Sequence, residues 1–166
     1  MKDIQPKLIR LFKEGYCTPQ IGRIAREIDE PSTTIHYNVK KLESKGAIKT
    51  YKAVFDYKKI DEGFCVYVLI NVSPSEYEHD WSKYETRIVR ELAKNKEVES
   101  LDIMTGEWDM ILKVRTKDQD EFYAFLGRVI NRVAIQKARS LVSLRQVKSD
   151  FILARDVVSK PPVHAP

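Results

Sequence analysis

Residues 18–52, TPQIGRIAREIDEPSTTIHYNVKKLESKGAIKTYK, read as helix, turn, helix and basic ribbon. Thr18 stands where an N-cap belongs, with Pro19 at the first helical position. Ile21, Ile24, Ala25 and Ile28 recur at helical spacing, which predicts a helix over 19–29 with those four turned inward. Asp29-Glu30-Pro31 breaks that run. Ser32 is the next N-cap and Gly46 the next stop, so a second helix is expected over 33–45. On it Ile35, Val39 and Leu42 fall within about 60° of one another and form the inward stripe. The opposite side carries Thr33, Tyr37, Lys40 and Ser44, flanked by Thr34 and Lys41. That face has no acidic residue, with Glu43 pointing to the side, whereas a solvated face ordinarily mixes signs. Past Gly46, Ala47 to Val54 alternates like a strand with lysines on its edge and reads as a wing or connecting strand. Such a rod and ribbon match the width of the DNA major groove.

Charge respects the same boundary. Residues 1–60 hold 13 Lys+Arg against 7 Asp+Glu, and residues 61–166 hold 16 against 17. The whole chain is +5, so its basic character lies in the part with the helix–turn–helix pattern. A basic unit is the usual partner of a polyanion. Composition is that of a soluble globular protein, with 43% apolar and 32% charged residues. Few glutamines and many charges fit a thermophile. The apolar run around Val66 to Ile70 falls far short of a membrane span, and the N-terminus lacks a secretory apolar region. Cys17 and Cys65 have no metal-ligand spacing and read as free thiols in a reducing cytoplasm.

Outward from the decisive stretch, Ile4, Leu8, Leu11 and Phe12 predict a first helix over 3–14, with Pro6 in its first turn and Gly15 as its stop. Asp56 to Gly63 is polar and reads as a boundary. The second half changes rhythm. Strands are expected over 64–72, 98–104, 108–115 and 137–147. Helices are expected over 80–95, with Trp81, Tyr84, Ile88 and Leu92 inward, and over 118–132, with Phe122, Phe125, Leu126 and Val129 inward. That order is a split βαβ, ferredoxin-like unit. The fold class is therefore α+β: an N-terminal winged helix-turn-helix domain and a C-terminal βαββαβ domain. The expected divisions are 1–52 for DNA binding, 53–63 as a linker strand, 64–148 for effector binding and oligomerisation, and 149–166 as a tail.

The first strand is apolar on both faces: Val66, Val68, Ile70 and Val72 on one, Cys65, Tyr67 and Leu69 on the other. Helices cover only one face of such a sheet. The simplest cover for the second is the same sheet of another subunit, an isologous dimer, with the apolar tail from Asp150 to Val158 able to pair or swap. Glu78, His79 and Asp80 read as a helix start rather than a metal site. Asp118, Asp120 and Glu121 likewise suit a helix first turn. No Ser-His-Asp, Cys-His, phosphate-loop or paired-carboxylate arrangement stands out, so an enzyme is not expected.

Several short motifs, in order and spacing, resemble the Lrp/AsnC "feast/famine" transcription regulators, of the archaeal type, over about residues 3–148. They are Ile24-Ala25, Ser32 with Val39 and Leu42-Glu43, Gly46-Ala47-Ile48, Tyr51-Lys52-Ala53, and the turn Gly106-Glu107-Trp108-Asp109, similar to the family's G-x-x-D. The chain departs from the pattern at Asn38, where the family often has arginine, and at Ala138 and Ser140, where it often has two threonines. The resemblance implies a sequence-specific transcription regulator of the cytoplasm, with no required cofactor, that binds double-stranded DNA. Its DNA contacts would come from Ser32, Thr33, Thr34, His36, Tyr37, Lys40 and Lys41, with Lys49 and Lys52 of the ribbon adding phosphate contacts. Homodimers assembling into an octamer are implied, with an amino-acid effector held between dimers by Met104, Thr105, Gly106, Glu107, Trp108, Asp109 and Ser140. Gly106 allows positive φ and a close backbone approach, and Asp109 offers a carboxylate to an ammonium. Taken alone, the same turn is an ordinary hairpin. Two rivals remain at this level: a nonspecific architectural DNA-binding protein, and a metabolite-binding module with a protein-docking N-terminal domain.

Overall fold

A computed structural model describes residues 4–73, 81–129 and 135–146. The chain divides into two compact units, Met1–Val54 and Phe55–Pro166. In the first, α1 (Gln5–Lys13), α2 (Ile21–Glu27) and α3 (Ser32–Ser44) follow in order. All three end in the same closure. The amide of Tyr16 donates to the Leu11 carbonyl at 3.1 Å, that of Glu30 to Ala25 at 3.0 Å, and that of Ala47 to Leu42 at 3.0 Å. Each is a six-to-one Schellman bond across a left-handed residue: Gly15 (φ 98°), Asp29 (φ 53°) and Gly46 (φ 71°). Two of the three are glycines, which adopt this conformation freely. Asp29 does so at a cost of roughly 1–2 kcal/mol, and that twist makes the abrupt corner between α2 and α3.

Both expected N-caps are displaced. α2 begins at Ile21 with Gln20 in the cap position and no side-chain cap, so the Thr18 hydroxyl lies two residues too early to reach its amides. α3 begins at Ser32 itself, because Pro31 (φ −58°, ψ 139°) already supplies the extended cap geometry. Ser32 is therefore the first helical residue. The inward stripes meet at Ala25 and Ile35, the two buried residues of this unit among those described. Ile28 and Leu42, inward by their spacing, are 56% and 45% exposed. Both sit near helix ends. The expected wing over 47–54 does not form a strand within one chain. A single parallel bridge joins Tyr51 to Tyr16, and Thr50 lies over Gly15, where an added Cβ would come within 2.1 Å of the Thr50 hydroxyl. The expected linker strand over 53–63 is instead a 3-10 turn, Tyr57–Ile60, opened by the Asp56 carboxylate accepting from the Lys58 amide at 3.2 Å.

The second unit is βαββαβ: β1 (Phe64–Val72), α4 (Trp81–Ala93), β2 (Val98–Ile103), β3 (Met110–Thr116), α5 (Gln119–Val129) and β4 (Ile135–Val142). The strands form one antiparallel sheet in the order β2-β3-β1-β4. Val66, Val68, Ile70 and Val72 alternate onto the face that meets the helices, opposite Met110, Leu112 and Val114. Ile88 and Leu92 of α4 and Phe122, Phe125 and Val129 of α5 seal them. α5 is capped reciprocally. Asp118 accepts from the Glu121 amide at 2.9 Å, and Glu121 accepts from the Lys117 amide at 2.7 Å. The side chains of Trp81 and Tyr84, the acidic-histidine group at 78–80 and the tail from 150 lie outside the described residues.

The other sheet face is less apolar than β1 alone suggests. Its middle carries Tyr67, Leu69, Ile111 and Leu141. One end is ionic. Arg115, only 7% exposed, donates to Glu99 and, at 2.8 Å, to Gln146, with its guanidinium 3.8 Å from the Tyr57 ring centre. Lys113 pairs with the same Glu99 at 3.1 Å. Every member has a partner, as burial of charge requires.

Candidate nucleic-acid interface and effector turn

α3 turns a continuous polar surface outward. Ser32, Thr33, Thr34, His36, Tyr37, Lys40 and Lys41 are all exposed, as are Lys49 and Lys52 beyond the helix. Tyr37 shows 66% of its surface, more than a tyrosine packed on α1 or α2 would. The first turn has no acidic residue and no side-chain cap; the nearest acids, Asp29 and Glu30, stand before the helix. Asn38 does not join the outward donors. Its amide donates to the Thr34 carbonyl at 2.9 Å, folding the side chain back on its own helix.

Glu43 is not a bystander at the side of this face. It accepts from Lys40 Nζ at 2.7 Å and from the Tyr51 hydroxyl at 3.0 Å, one bond to each carboxylate oxygen. The hydrogen bond from Lys40, then that from Tyr51, hold the Glu43 carboxyl below the usual carboxylate range, and the charge of His36 works the same way. The bond to Glu43 raises the Lys40 ammonium in turn. Tyr51 is shifted upward by burial and by Glu43. Lys41, Lys49 and Lys52 carry no ion pair among the described residues.

In the second unit, residues 104–109 join β2 to β3. Gly106 takes φ 114° with open space where a Cβ would lie. Asp109 braces the turn instead of projecting freely. It is half-buried, its Oδ2 accepts from the Val72 amide at 2.9 Å, and its carbonyl accepts from the Met104 amide at 2.8 Å. Asn71 completes the joint, donating to the Glu107 carbonyl at 2.8 Å and accepting from the Asp109 amide at 3.1 Å. Met104, Thr105, Gly106 and Glu107 are exposed and Trp108 is half-buried.

β4 reaches this turn through Lys137, which sits 4.8 Å from the Trp108 ring centre and 3.7 Å from Glu107. Ser140 pairs with Val68 on the helix-facing side of the sheet, whereas Lys137 pairs with Asn71 on the other. The structure therefore separates Ser140 from the turn residues that the resemblance groups it with, because strand residues an odd number apart face opposite ways. Asn71 and Lys137 carry no sign of a site role in the sequence, and Tyr51 stands out only within the motif Tyr51-Lys52-Ala53. Each meets its partner only through strand pairing or chain reversal.

The Lrp/AsnC ligand binding domain model matches residues 65–153, and the chain belongs to the Lrp/AsnC family. It is 29% identical over 126 residues to an HTH-type transcriptional regulator of Pyrococcus abyssi, covering 76% of this chain and 75% of that one. It is 24% identical over 148 residues to the HTH-type transcriptional regulator FL11 of Pyrococcus horikoshii, covering 89% and 92%. Among solved structures, the AsnC family transcriptional regulator from Agrobacterium tumefaciens superposes with a TM-score of 0.70 at 23% identity, over 92% of this chain and all of that one. A transcriptional regulator–L-Met complex from Neisseria meningitidis gives 0.67 at 18% identity, over 90% and 93%. At these identities the two structures speak for the fold. No helix among the described residues is long and apolar enough to cross a membrane.

Proposed function

We propose that this chain is a sequence-specific DNA-binding transcription regulator of the cytoplasm whose occupancy responds to a free amino acid or a related metabolite. The observation that carries the reading is the outward face of α3: hydroxyl, imidazole, phenol and ammonium groups, all exposed, on a helix whose first turn holds no acid. Ser32, Thr33, Thr34, His36 and Tyr37 are assigned to base edges and thymine methyls, and Lys41, Lys49 and Lys52 to phosphates, with Lys40 able to join them. Residues 1–52 are assigned to DNA binding and 64–148 to dimerisation and effector binding. The middle of the second sheet face, exposed Leu141 with half-buried Tyr67, Leu69 and Ile111, suits an isologous partner, and dimers are assigned to a larger ring such as an octamer. Two recognition helices about one DNA turn apart, ~34 Å, then call for a roughly palindromic site.

The effector is assigned to the turn at 104–109. Gly106 leaves its backbone open to approach. Glu107 and Lys137 place one acid and one base at its rim, which suits a zwitterion. A fold neighbour solved with L-Met favours an amino acid over other metabolites. Such a ligand can act only through differential affinity for assembly or DNA-bound states.

The test is a binding series on the full chain, against random and genomic duplexes at two salt concentrations, with and without a panel of amino acids. Tight genomic binding, weaker random binding and a steep salt slope are expected. Lys41→Ala with Lys52→Ala should weaken both duplexes alike and reduce the slope by about 0.9 for each phosphate no longer neutralised. Equal affinity for every duplex would favour an architectural protein. No binding at low salt would end the reading.

A further inference from the structure

We propose that Glu43 sets the specificity of α3 by withholding Lys40 from the phosphates of non-matching duplexes. The inference rests on the DNA-binding reading of α3 and deepens it. Lys40 is the lysine of the outward face that has an internal partner. Lys41, beside it, has none among the described residues, so the two neighbours form a natural control. Glu43 is held in place from outside the helix as well, by the Tyr51 hydroxyl at 3.0 Å on the oxygen that Lys40 does not use. The carboxylate side chain retains 27% of its exposure and the lysine 63%. The anion is thus the anchored member of the pair and the cation the member able to leave. His36, Lys40 and Glu43 follow one another at i, i+4 and i+7, along the same stripe of the helix.

That asymmetry has a consequence for binding. Nonspecific association is almost wholly a matter of cations reaching phosphates. A loosely held duplex gives Lys40 no reason to exchange a fixed carboxylate for a shifting phosphate. When base contacts seat the helix in the groove, a phosphate is held close to Lys40. An exposed ion pair is weak enough to be exchanged for it. Glu43 stays behind on Tyr51. Lys40 then contributes to the matched complex and not to the mismatched one, which is how a specificity ratio is widened without adding a base contact.

The experiment is a salt titration of duplex binding by fluorescence anisotropy, on the full chain and on Glu43→Gln. A random duplex is compared with the tightest-binding genomic one. For Glu43→Gln, affinity for the random duplex should rise about two- to fivefold, and its salt slope should steepen by about 0.9, the equivalent of one phosphate. The genomic slope should stay where it was, so the ratio of the two affinities falls. In the Lys40→Ala background the same substitution should leave the random-duplex slope unaltered. Tyr51→Phe keeps every charge but frees the carboxylate, and should steepen the random slope by a smaller amount. It carries the test on its own if Glu43→Gln melts early. An unaltered random slope, or a rise that persists without Lys40, would overturn the inference while leaving DNA binding intact. A wild-type chain that binds no duplex would overturn both.

Discussion

The two units bury their apolar residues to very different extents. Phe55–Pro166 seals three helix-facing strand rows beneath α4 and α5, with Val66, Ile70, Leu92, Met110 and Val114 at 0% exposure. Met1–Val54 buries Ala25 and Ile35 and leaves Ile4, Leu8, Phe12, Ile28 and Leu42 between 38% and 59% exposed. A sheet with helices on one face makes a two-layer core from a single chain. Three short helices do not. The first unit instead leans on local chain geometry, with three helix ends closed by the same kind of backbone bond. One unit is thus held mainly by long-range burial and the other largely by how its helices stop.

The largest expected effect tests the burial half of that contrast. Phe125→Ala should cost about 3–5 kcal/mol in denaturant unfolding of the second unit. Leu8→Ala, at an exposed apolar position, should cost less than about 1 kcal/mol in the monomer. Equal losses would mean that the first helix is sealed after all. The next tests the helix ends. Gly15→Ala meets both a left-handed backbone and the Thr50 hydroxyl, and should cost about 2–3 kcal/mol. Gly106→Ala meets only the backbone term and should cost nearer 1 kcal/mol. Comparable melting temperatures for the two would show that the Thr50 side chain gives way freely.

The smallest is a pH effect confined to the second unit. Glu97 is 6% exposed, and that burial alone would raise its carboxyl. The 2.6 Å bond from Arg128, a backbone hydrogen bond and the nearby positive charges outweigh it and hold the group below its ordinary value. A depressed carboxylate stabilises the fold above its unfolded pKa and loses that contribution as pH falls through the folded one. The melting temperature should therefore decline on acidification below the usual carboxylate range. Glu97→Gln should flatten that decline and leave the neutral-pH profile parallel to wild type. An identical acid limb in the variant would remove Glu97 from the account.

Much of this architecture is legible in residue order. Gly15 and Gly46 end helices where their position says they should, because a residue free to take positive φ can be read one position at a time. The alternation of β1 and the 3.6-residue stripe of α5 are local too, and Phe122, Phe125 and Val129 are buried as that stripe requires. The caps are displaced for an equally local reason: Pro31 serves as the cap through its backbone, while the hydroxyl pattern points to Ser32. At the candidate sites the residue types are visible in the chain and their partners are not. Glu43 reads as lateral, yet it holds Lys40. Asp109 reads as free, yet it accepts from Val72. The resemblance groups the strand residue Ser140 with the effector turn, and within one chain it is Lys137 that reaches that turn.

Sequence alone determined the three N-terminal helices and the βαββαβ order, where most helices stop and which unit carries the positive charge, since each depends on neighbours within a few residues. Tertiary structure decided the ionic end of the second sheet face, the bracing of the effector turn and the bond from Tyr51 that anchors Glu43. Those contacts join residues between 8 and 38 positions apart. The fold brings them within bonding distance, and no periodicity along the chain encodes that meeting.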